Sequence, residues 1–495
     1  MNIKKTKFCF VSLAFFVFQL TCLQVMDANT SSISNDINQD KVFRAGAATS
    51  NITPDLGGGI VGGWGTPAST HINDELLARC LVLDDGETIL AFVVVDLIGL
   101  NHDLVDKTKR LIQEETNLPK ENVIISATHT HSATSAQGEG EKRRRWTVGE
   151  PFDDYQKFIV RRIADVVRVA INNLEPARIG WGVGSVPQHV FIRRWKMKPG
   201  TDIPNPFGSQ DKVRMNPGRN NPDLLEPAGQ PDPEVSFISV QSPDGRPIAL
   251  FANYSLHYVG GVPSGHISAD YFGVFNDRIQ ELLKADRQDP PFVAIMSNGT
   301  SGDVNNINFR EAAERNPPYE KMREVADDVA QEVLRAYKTV QHHEWVSLQA
   351  AQEELTLQVR KPDRQLIERA EMILERPDTV TPGHRHEKVY AERILHLLNW
   401  PDQIDIVLQT FRIGELGIAT TPFETFAETG LEIKAKSPFN PSFTISLAHG
   451  YHGYLPTPEQ HELGGYETWL STNRVEIEAS RKIVDKLLEL FDRLE

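Results

Sequence analysis

Two histidines, His129 and His131, lie two residues apart at the end of an apolar run that begins at Val123. Side chains of an extended segment alternate between its faces, so this spacing predicts that the two imidazoles point to the same place. Neutral imidazole is the commonest protein ligand for Zn²⁺, so the pair indicates a metal or catalytic site. The alternative is a polar strand end that faces water.

A catalytic zinc ion takes about three protein ligands, so further candidates must come from other parts of the chain. His257 also follows an apolar run, although a single histidine there can be a hydrogen-bonded core residue. Glu424 stands where a helix is expected to begin, and an acid in a first turn can simply interact with the helix dipole. The glycines around Tyr451 and Tyr454 can present a phenol to a cleft, or the rings can pack in the core.

A polar, glycine-bearing loop over residues 297–306 follows another apolar run and contains Asp303 and Asn305. Loops at strand ends commonly carry sites in α/β proteins, and this loop can supply N–H groups to an oxyanion or be only a tight turn. A second histidine pair, His384 and His386, is expected at a helix start and on the surface rather than in a site.

Short apolar runs of strand length alternate with segments of helical period, which predicts an α/β fold. We expect mixed α/β layers with one or two central β-sheets flanked by helices. The predicted strands are 78–83, 89–95, 123–126, 235–240, 248–252, 292–296 and 406–411, and helical periodicity covers 155–170, 272–283 and 473–493. Two irregular segments, 57–70 and 199–233, are long enough that we expect them to rim a site.

The chain has 495 residues, of which 40% are hydrophobic and 24% charged, as in soluble globular proteins. Its formal charge is −15, and removing the three lysines of the N-terminal leader turns −15 into −18. Such a charge argues against nucleic acid or an anionic membrane surface as a general partner. The basic run 142–145 is a local exception, either a solvated loop or a contact for an anionic substrate group.

Residues 1–28 fit a secretory signal peptide, because three lysines precede an apolar run. We therefore expect an exported protein, periplasmic or secreted, with a lipid anchor at Cys22 as the lesser alternative and no transmembrane segment after leader removal. Residues 29–42 read as a flexible linker, and residues 43–495 as one catalytic domain. Cys80 is then the one cysteine left, so no internal disulfide forms, and it is expected to be buried.

Taken together, these segments resemble the N-terminal catalytic domain of the neutral, non-lysosomal ceramidase family. The resemblance rests on residues 44–54, 127–132, 302–304 and 454–466, in that order and spacing. It implies a zinc ion, whose ligands by motif are His129, His257, Glu424 and Tyr454. It also implies that His131 and an arginine contact the substrate carbonyl, and Arg194 is the best match, with Arg193 nearly equal.

Two departures from the family pattern stand out. The family carries a serine nucleophile directly after Gly-Asp-Val, where this chain has Asn305, and an amide cannot be activated as a serine hydroxyl can. The family also usually has a C-terminal immunoglobulin-like domain, for which no room is expected after the last predicted helix.

The leading hypothesis is a secreted zinc-dependent hydrolase that uses metal-activated water to cleave an amide in a ceramide-like N-acyl lipid or another N-acyl compound. Its partner is then a small-molecule or lipid substrate. Asp303 would orient a ligand or take a proton from water, and Asn305 would donate a hydrogen bond to the oxyanion. One alternative is a catalytically silent binding protein that keeps the fold; another is an enzyme acting on carbohydrate-derived amides or esters.

Overall fold

The strand Ile89–Val95 sends its side chains alternately into two different cores. Val93 packs on one side, against two helices, whereas Phe92 packs on the other, against further sheets. Such two-sided burial explains why this strand is an uninterrupted apolar run rather than an alternating one. The computed structural model describes residues 41–134, 136, 151–313 and 315–495, so the predicted leader, most of the predicted linker and the basic run 142–145 lie outside the described residues.

The helices of the described residues form between the strands along most of the chain. They are α1 His102–Thr116, α2 Asp154–Asn172, α3 Asp270–Leu282, α4 Glu320–Tyr337, α5 Arg364–Glu375, α6 Glu387–Leu397, α7 Ala427–Lys436, α8 Pro458–Leu463 and α9 Ala479–Asp492. None of these helices is both long enough and apolar enough to cross a membrane.

The strands of the same residues range from two to eleven residues in length. They are β1 Arg44–Asn51, β2 Ile60–Val61, β3 His71–Ile72, β4 Leu77–Asp84, β5 Ile89–Val95, β6 Val123–Ala127, β7 Ala133–Thr134, β8 Glu175–Pro176, β9 Arg178–Ser185, β10 Phe191–Ile192, β11 Arg194–Met197, β12 Val213–Met215, β13 Leu224–Pro227, β14 Glu234–Gln241, β15 Pro247–Tyr254, β16 His266–Ile267, β17 Val293–Asn298, β18 Val304–Asn305, β19 Leu348–Gln358, β20 Gln403–Ile413, β21 Leu416–Thr420, β22 Glu424–Thr425, β23 Ser442–Ile445 and β24 Tyr454–Leu455.

Three larger sheets carry the fold. Their strand orders are β6-β5-β4-β1-β8, β17-β15-β14-β9 and β19-β20-β21-β23. Each sheet has helices on one face: α1 and α2 on the first, α3 and α4 on the second, α7 and α9 on the third. The opposite faces share a central apolar core in which the Phe92 ring lies 5.8 Å from Phe251 and 5.1 Å from Phe411. Burial of this three-sided core holds the sheets together.

Each of the three sheets contains one parallel pair of strands: β5 with β6, β15 with β17, and β21 with β23. The carboxyl ends of these pairs are linked to one another. The backbone N–H of Ser446 donates to the carbonyl of Asn298 (3.0 Å), and Asn298 Nδ2 donates to the carbonyl of Thr128 (3.0 Å). Ser126 and Ala448 form a β-bridge. Loops that leave these strand ends therefore start from one place, the usual position of a site in α/β folds.

The predicted fold class is confirmed. Each predicted strand lies inside an observed strand, except 292–296, which begins one residue before β17. The last helix begins at Ala479, six residues later than the predicted start at 473. The segment 199–233 is not wholly irregular, because β12 and β13 pair with β11. Strand β19 escapes prediction because its sequence, LQAAQEELTLQ, has no apolar run and most of its residues are partly exposed.

Candidate active site

His129 and His131 meet in space, but not on an extended strand. Strand β6 ends at Ala127, and His129 has a left-handed backbone with φ +72°. Its N–H donates to the carbonyl of Leu97 (2.9 Å), which fixes this turn. The Nε2 atoms of the two imidazoles lie 3.2 Å apart. A positive φ outside glycine is uncommon and clusters at functional sites, which fits this position.

The tautomers of two histidines are fixed by backbone carbonyls. His129 Nδ1 lies 2.6 Å from the carbonyl oxygen of Ile98, and His257 Nδ1 lies 3.1 Å from that of Ser301. A carbonyl oxygen can only accept, so both Nδ1 atoms carry the hydrogen and both Nε2 atoms present a lone pair in the neutral ring. This is the arrangement typical of metal-ligating histidines.

Glu424 completes the cluster with a carboxylate. Its Oε2 lies 3.2 Å from His129 Nε2 and 3.7 Å from His257 Nε2, and it is buried with no hydrogen-bond donor. Burial alone would raise the pKa of Glu424, but His129 and the Tyr454 hydroxyl outweigh it and hold the pKa at about 2. The group is therefore an anion at neutral pH. His257 Nε2 is likewise buried and unpartnered.

Two tyrosines flank this carboxylate. Tyr454 lies on β24, which pairs in parallel with β22 so that Glu424 and Tyr454 stand opposite each other. Tyr451, which the sequence did not single out for this role, donates its hydroxyl hydrogen to Glu424 Oε1 at 2.7 Å. Tyr451 therefore fixes one carboxylate oxygen and leaves the other turned to the imidazoles.

The two consecutive arginines differ in what they can still bind. Arg194 is fully buried and uses its guanidinium on Glu467 (2.7 Å), on Gln460 and on the carbonyl of Gly464 (2.7 Å). Arg193 donates Nε to Glu467 (2.9 Å), its Nη2 is buried without a partner, and its guanidinium carbon lies 5.3 Å from the centre of the Tyr454 ring. The geometry thus favours Arg193 over the predicted Arg194 as an arginine with a free donor beside the site.

Asp303 lies at the beginning of α7 rather than against the imidazoles. Its Oδ1 accepts the N–H of Ala427 (2.9 Å), and its Oδ2 is buried without a donor. Burial raises the pKa of Asp303 to about 7, the Ala427 N–H opposes this, and the nearby Glu428 adds to it. These contacts indicate that Asp303 positions the helix that follows Glu424.

Asn305 has both ends of its amide engaged. Its Nδ2 donates to Asn216 Oδ1 (2.9 Å), and its Oδ1 accepts the N–H of Ile307 (3.0 Å). Its backbone pairs with Phe191 across β10 and β18. The side chain thus ties the segment that leads into Arg193 to the segment around Asn216, a positioning contact rather than a free donor.

Both irregular segments reach the site, as their length led us to expect. Gly62 has φ +114° and packs on His131 so closely that a Cβ would come within 2.6 Å of the ring. The ring of Tyr258 is stacked 3.8 Å from that of His131. From the segment 199–233, Asn216 contacts Asn305.

The second histidine pair lies at a helix start, as predicted, but not on a plain surface. His386 immediately precedes α6, and both His384 and His386 are half-buried in the wall of a cavity that Tyr466 also lines. The ring of Tyr466 lies 5.7 Å from that of Tyr454. We expected a surface pair rather than a site, and the structure adds that Trp64, from a distant part of the chain, stacks on His386.

Another group with possible ligand atoms, His189, Glu324 and Asp328, is elsewhere in the described residues. His189 Nε2 lies 2.7 Å from Asp328, and Glu324 is exposed and pairs with Lys321. The hydrogen-bond contact of His189 with Asp328 and the ion pair of Glu324 with Lys321 account for this group. At the first cluster, by contrast, two buried acceptors lack partners and the tautomers are fixed, and nitrogen with carboxylate oxygen is the donor set that Zn²⁺ prefers. The residues there fit a metal ion.

Comparison with known proteins identifies the family and the fold. The family model described as neutral/alkaline non-lysosomal ceramidase, N-terminal, matches residues 43–316. A neutral ceramidase from Pseudomonas aeruginosa has a similar structure, with a TM-score of 0.65 and 16% identity over 92% of this chain and 75% of that one. A structure titled ceramidase complexed with C2 matches with a TM-score of 0.67, 16% identity and the same coverage. At such identity these structures establish the fold alone.

Proposed function

Since this chain belongs to the neutral/alkaline non-lysosomal ceramidase family and is thus a hydrolase, we propose that it is an exported, zinc-dependent enzyme that cleaves an amide in an N-acyl compound. One observation carries the proposal. Glu424 Oε2 lies 3.2 Å from His129 Nε2 and 3.7 Å from His257 Nε2 in a buried place, and neither Glu424 Oε2 nor His257 Nε2 has a hydrogen-bond partner among the described residues. Buried polar atoms normally have partners, so an ion that accepts their lone pairs is the simplest explanation.

The chain's own residues divide the work. His129, His257 and Glu424 would hold the ion, with Tyr454 as a further oxygen ligand, and Tyr451 keeps Glu424 turned toward it. Zinc in such a site lowers the pKa of water and polarises a carbonyl oxygen, so hydrolysis does not require a serine at position 305. The asparagine is therefore compatible with a hydrolase.

We assign contact with the substrate carbonyl to His131 and Arg193. His131 lies beside His129 and is held between Gly62 and Tyr258. Support for Arg193 over Arg194 comes from its buried Nη2, which has no partner among the described residues. A fixed cationic donor stabilises an oxyanion without having to reorganise, and such stabilisation is the largest contribution to the rate enhancement of many hydrolases. Asp303 and Asn305 then act by positioning α7 and the Asn216 segment.

Metal analysis of purified protein tests the ligand assignment. We expect about one zinc ion per chain, lost in His257→Ala. His189→Ala is the matched control, since this histidine is also buried and near carboxylates but belongs to the other group. Unchanged zinc in His257→Ala, or loss in His189→Ala alone, would contradict the assignment.

Hydrolysis of an amide panel tests the activity. N-acyl lipids and N-acyl sugars are offered to the zinc-loaded protein with and without a chelator, and we expect chelator-sensitive release of a free amine from at least one class. The absence of turnover by zinc-loaded protein on every class would favour a silent binding protein, the alternative that Asn305 suggests.

A further inference from the structure

A cavity of about 450 Å³ adjoins the candidate metal centre. Tyr466 forms the wall between them, since its ring lies 5.7 Å from that of Tyr454 and 6.0 Å from that of Trp64. Asn216, which holds Asn305, lines the same cavity. Its volume falls within the usual range for small-ligand pockets. A substrate whose amide lies at the histidines would have to pass the Tyr466 ring to place a substituent in this cavity.

The charged groups that line this cavity are mainly cationic. Arg385 is exposed and forms no ion pair with a described residue, and Arg214 donates only to the carbonyl of Asp202. The one acid among the described residues of the wall, Asp211, is already engaged: Oδ1 accepts from Asn205 (3.0 Å) and Oδ2 from the indole of Trp469 (2.8 Å). The hydrogen bonds of this carboxylate come from neutral donors, and neither guanidinium group forms an ion pair with it.

Aromatic rings give the cavity a fixed shape. Trp64 stacks on His386 with 3.5 Å between ring centres and 7° between planes, and its indole remains 52% exposed. His386 Nε2 is buried and has no hydrogen-bond partner among the described residues. Burial and the neighbouring Arg385 lower the pKa of His386 to about 4, so at neutral pH the ring is uncharged and one of its nitrogens can donate. Flat walls and cationic donors together suit a planar or compact anion next to a short apolar spacer.

We propose that this cavity is a substrate subsite that binds an anionic substituent on the amine part of the scissile amide, so that the preferred substrates are N-acyl compounds bearing a carboxylate. This inference rests on the proposed amide hydrolysis. A purely hydrocarbon substituent would cover the Arg214 and Arg385 guanidinium groups and His386 Nε2 without pairing with them, which costs free energy. A carboxylate instead pairs with a guanidinium through two parallel hydrogen bonds.

Three compounds with one acyl chain separate the contributions. N-octanoyl-β-alanine carries a carboxylate, N-octanoyl-taurine a sulfonate and N-octanoyl-3-aminopropanol a neutral hydroxyl on similar spacers. We expect kcat/KM for the carboxylate to exceed that for the alcohol by about tenfold or more, which corresponds to one well-placed charge contact. A higher value for the sulfonate than for the carboxylate would overturn the assignment to carboxylates.

The double variant Arg214→Gln/Arg385→Gln should reduce the carboxylate-to-alcohol ratio to within about threefold and leave turnover of the alcohol unchanged. Arg364→Gln is the matched control, because this side chain is 91% exposed and lies outside the cavity wall. A ratio that stays the same in the double variant, or falls equally in the control, would refute the subsite.

A binding measurement tests the proposed subsite independently of the proposed hydrolase activity. Calorimetric titration of chelator-treated wild-type protein with N-octanoyl-taurine and N-octanoyl-3-aminopropanol needs no turnover. Tighter binding of the sulfonate that disappears in the double variant would support the subsite even if no amide were cleaved. Equal binding of both compounds would overturn it, even in a protein that proves to be an active amidase.

Discussion

Glu467 connects the two arginines of the site, and its replacement by glutamine tests how much this buried ion pair contributes. The carboxylate has no exposed surface and accepts from Arg193 Nε at 2.9 Å and from Arg194 Nη1 at 2.7 Å. Both guanidinium groups are almost fully buried as well. Glu467→Gln preserves the shape and one acceptor oxygen but leaves two buried cations short of one negative charge.

The size of the effect follows from these distances. At an effective dielectric of about 20, the attraction within one ion pair at such a separation is roughly 6 kcal/mol. Burying the carboxylate costs several kcal/mol of solvation free energy, and removing the carboxylate recovers this cost, so the net loss is smaller than the attraction of the two pairs. Measured losses on breaking buried pairs are about 3–5 kcal/mol, which we adopt for Glu467→Gln. With an unfolding entropy of roughly 2.1 cal/mol/K per residue over some 450 residues, Tm should fall by about 3–5 °C.

Equilibrium urea unfolding at neutral pH, followed by circular dichroism, measures the change. The control is Glu459→Gln, because Glu459 pairs with Arg481 while 67% and 54% of the two side chains are exposed. An exposed pair of this kind contributes less than about 1 kcal/mol. Zinc content should stay at the wild-type value, since Glu467 contacts neither imidazole. If the free energies of unfolding of Glu467→Gln and Glu459→Gln differ by less than about 1 kcal/mol, the buried ion pairs of Glu467 do not stabilise the site.

Two further predictions concern groups that position the cluster. Burial raises the pKa of Asp303 to about 7, so the folded state holds this proton from pH 4 to 7 while the unfolded state releases it, and stability falls as pH rises through that window. Asp303→Asn keeps an oxygen that accepts the N–H of Ala427 but cannot titrate. Between pH 5 and pH 8 the free energy of unfolding in urea should therefore fall by about 2–3 kcal/mol more in the wild type than in the variant. Equal losses in both proteins would contradict a buried carboxyl with a raised pKa. Tyr451→Phe removes the hydrogen bond to Glu424, so the zinc dissociation constant of this variant should rise about 10- to 100-fold in a competition titration. An unchanged constant would exclude an orienting role for Tyr451.

The sequence predicted best where side-chain pattern alone decides the outcome. Buried strands such as β5 and β15 are apolar on both faces, so their runs are visible without tertiary information. The convergence of His129 and His131 was also predicted, but for an incomplete reason. Alternation along a strand would suffice only if the strand continued, whereas β6 ends at Ala127 and a left-handed residue brings the rings together.

The choice between Arg193 and Arg194 shows what sequence could not decide. Arg193 lies between β10 and β11, which belong to different small sheets, so neither strand's alternation extends across it. Which guanidinium has its donors engaged depends on Glu467 and Gln460, which lie more than 260 residues further along the chain. Trp64 and His386 are more than 300 residues apart in the chain, and their stacking makes the histidine pair part of a cavity wall.

The site therefore depends on where the three sheets meet rather than on any one motif. His129 follows β6, His257 follows β15, Glu424 follows β21, and each of these strands belongs to a parallel pair of a different sheet. Their carboxyl ends are linked by Asn298, which donates to the loop before His129 and accepts from Ser446. The proposed ligands, supplied by three sheets, keep their spacing only while the shared core holds those sheets in register. It follows that changes in the central core around Phe92 should loosen the proposed metal centre without altering a proposed ligand, because each sheet contributes one that the other two cannot replace.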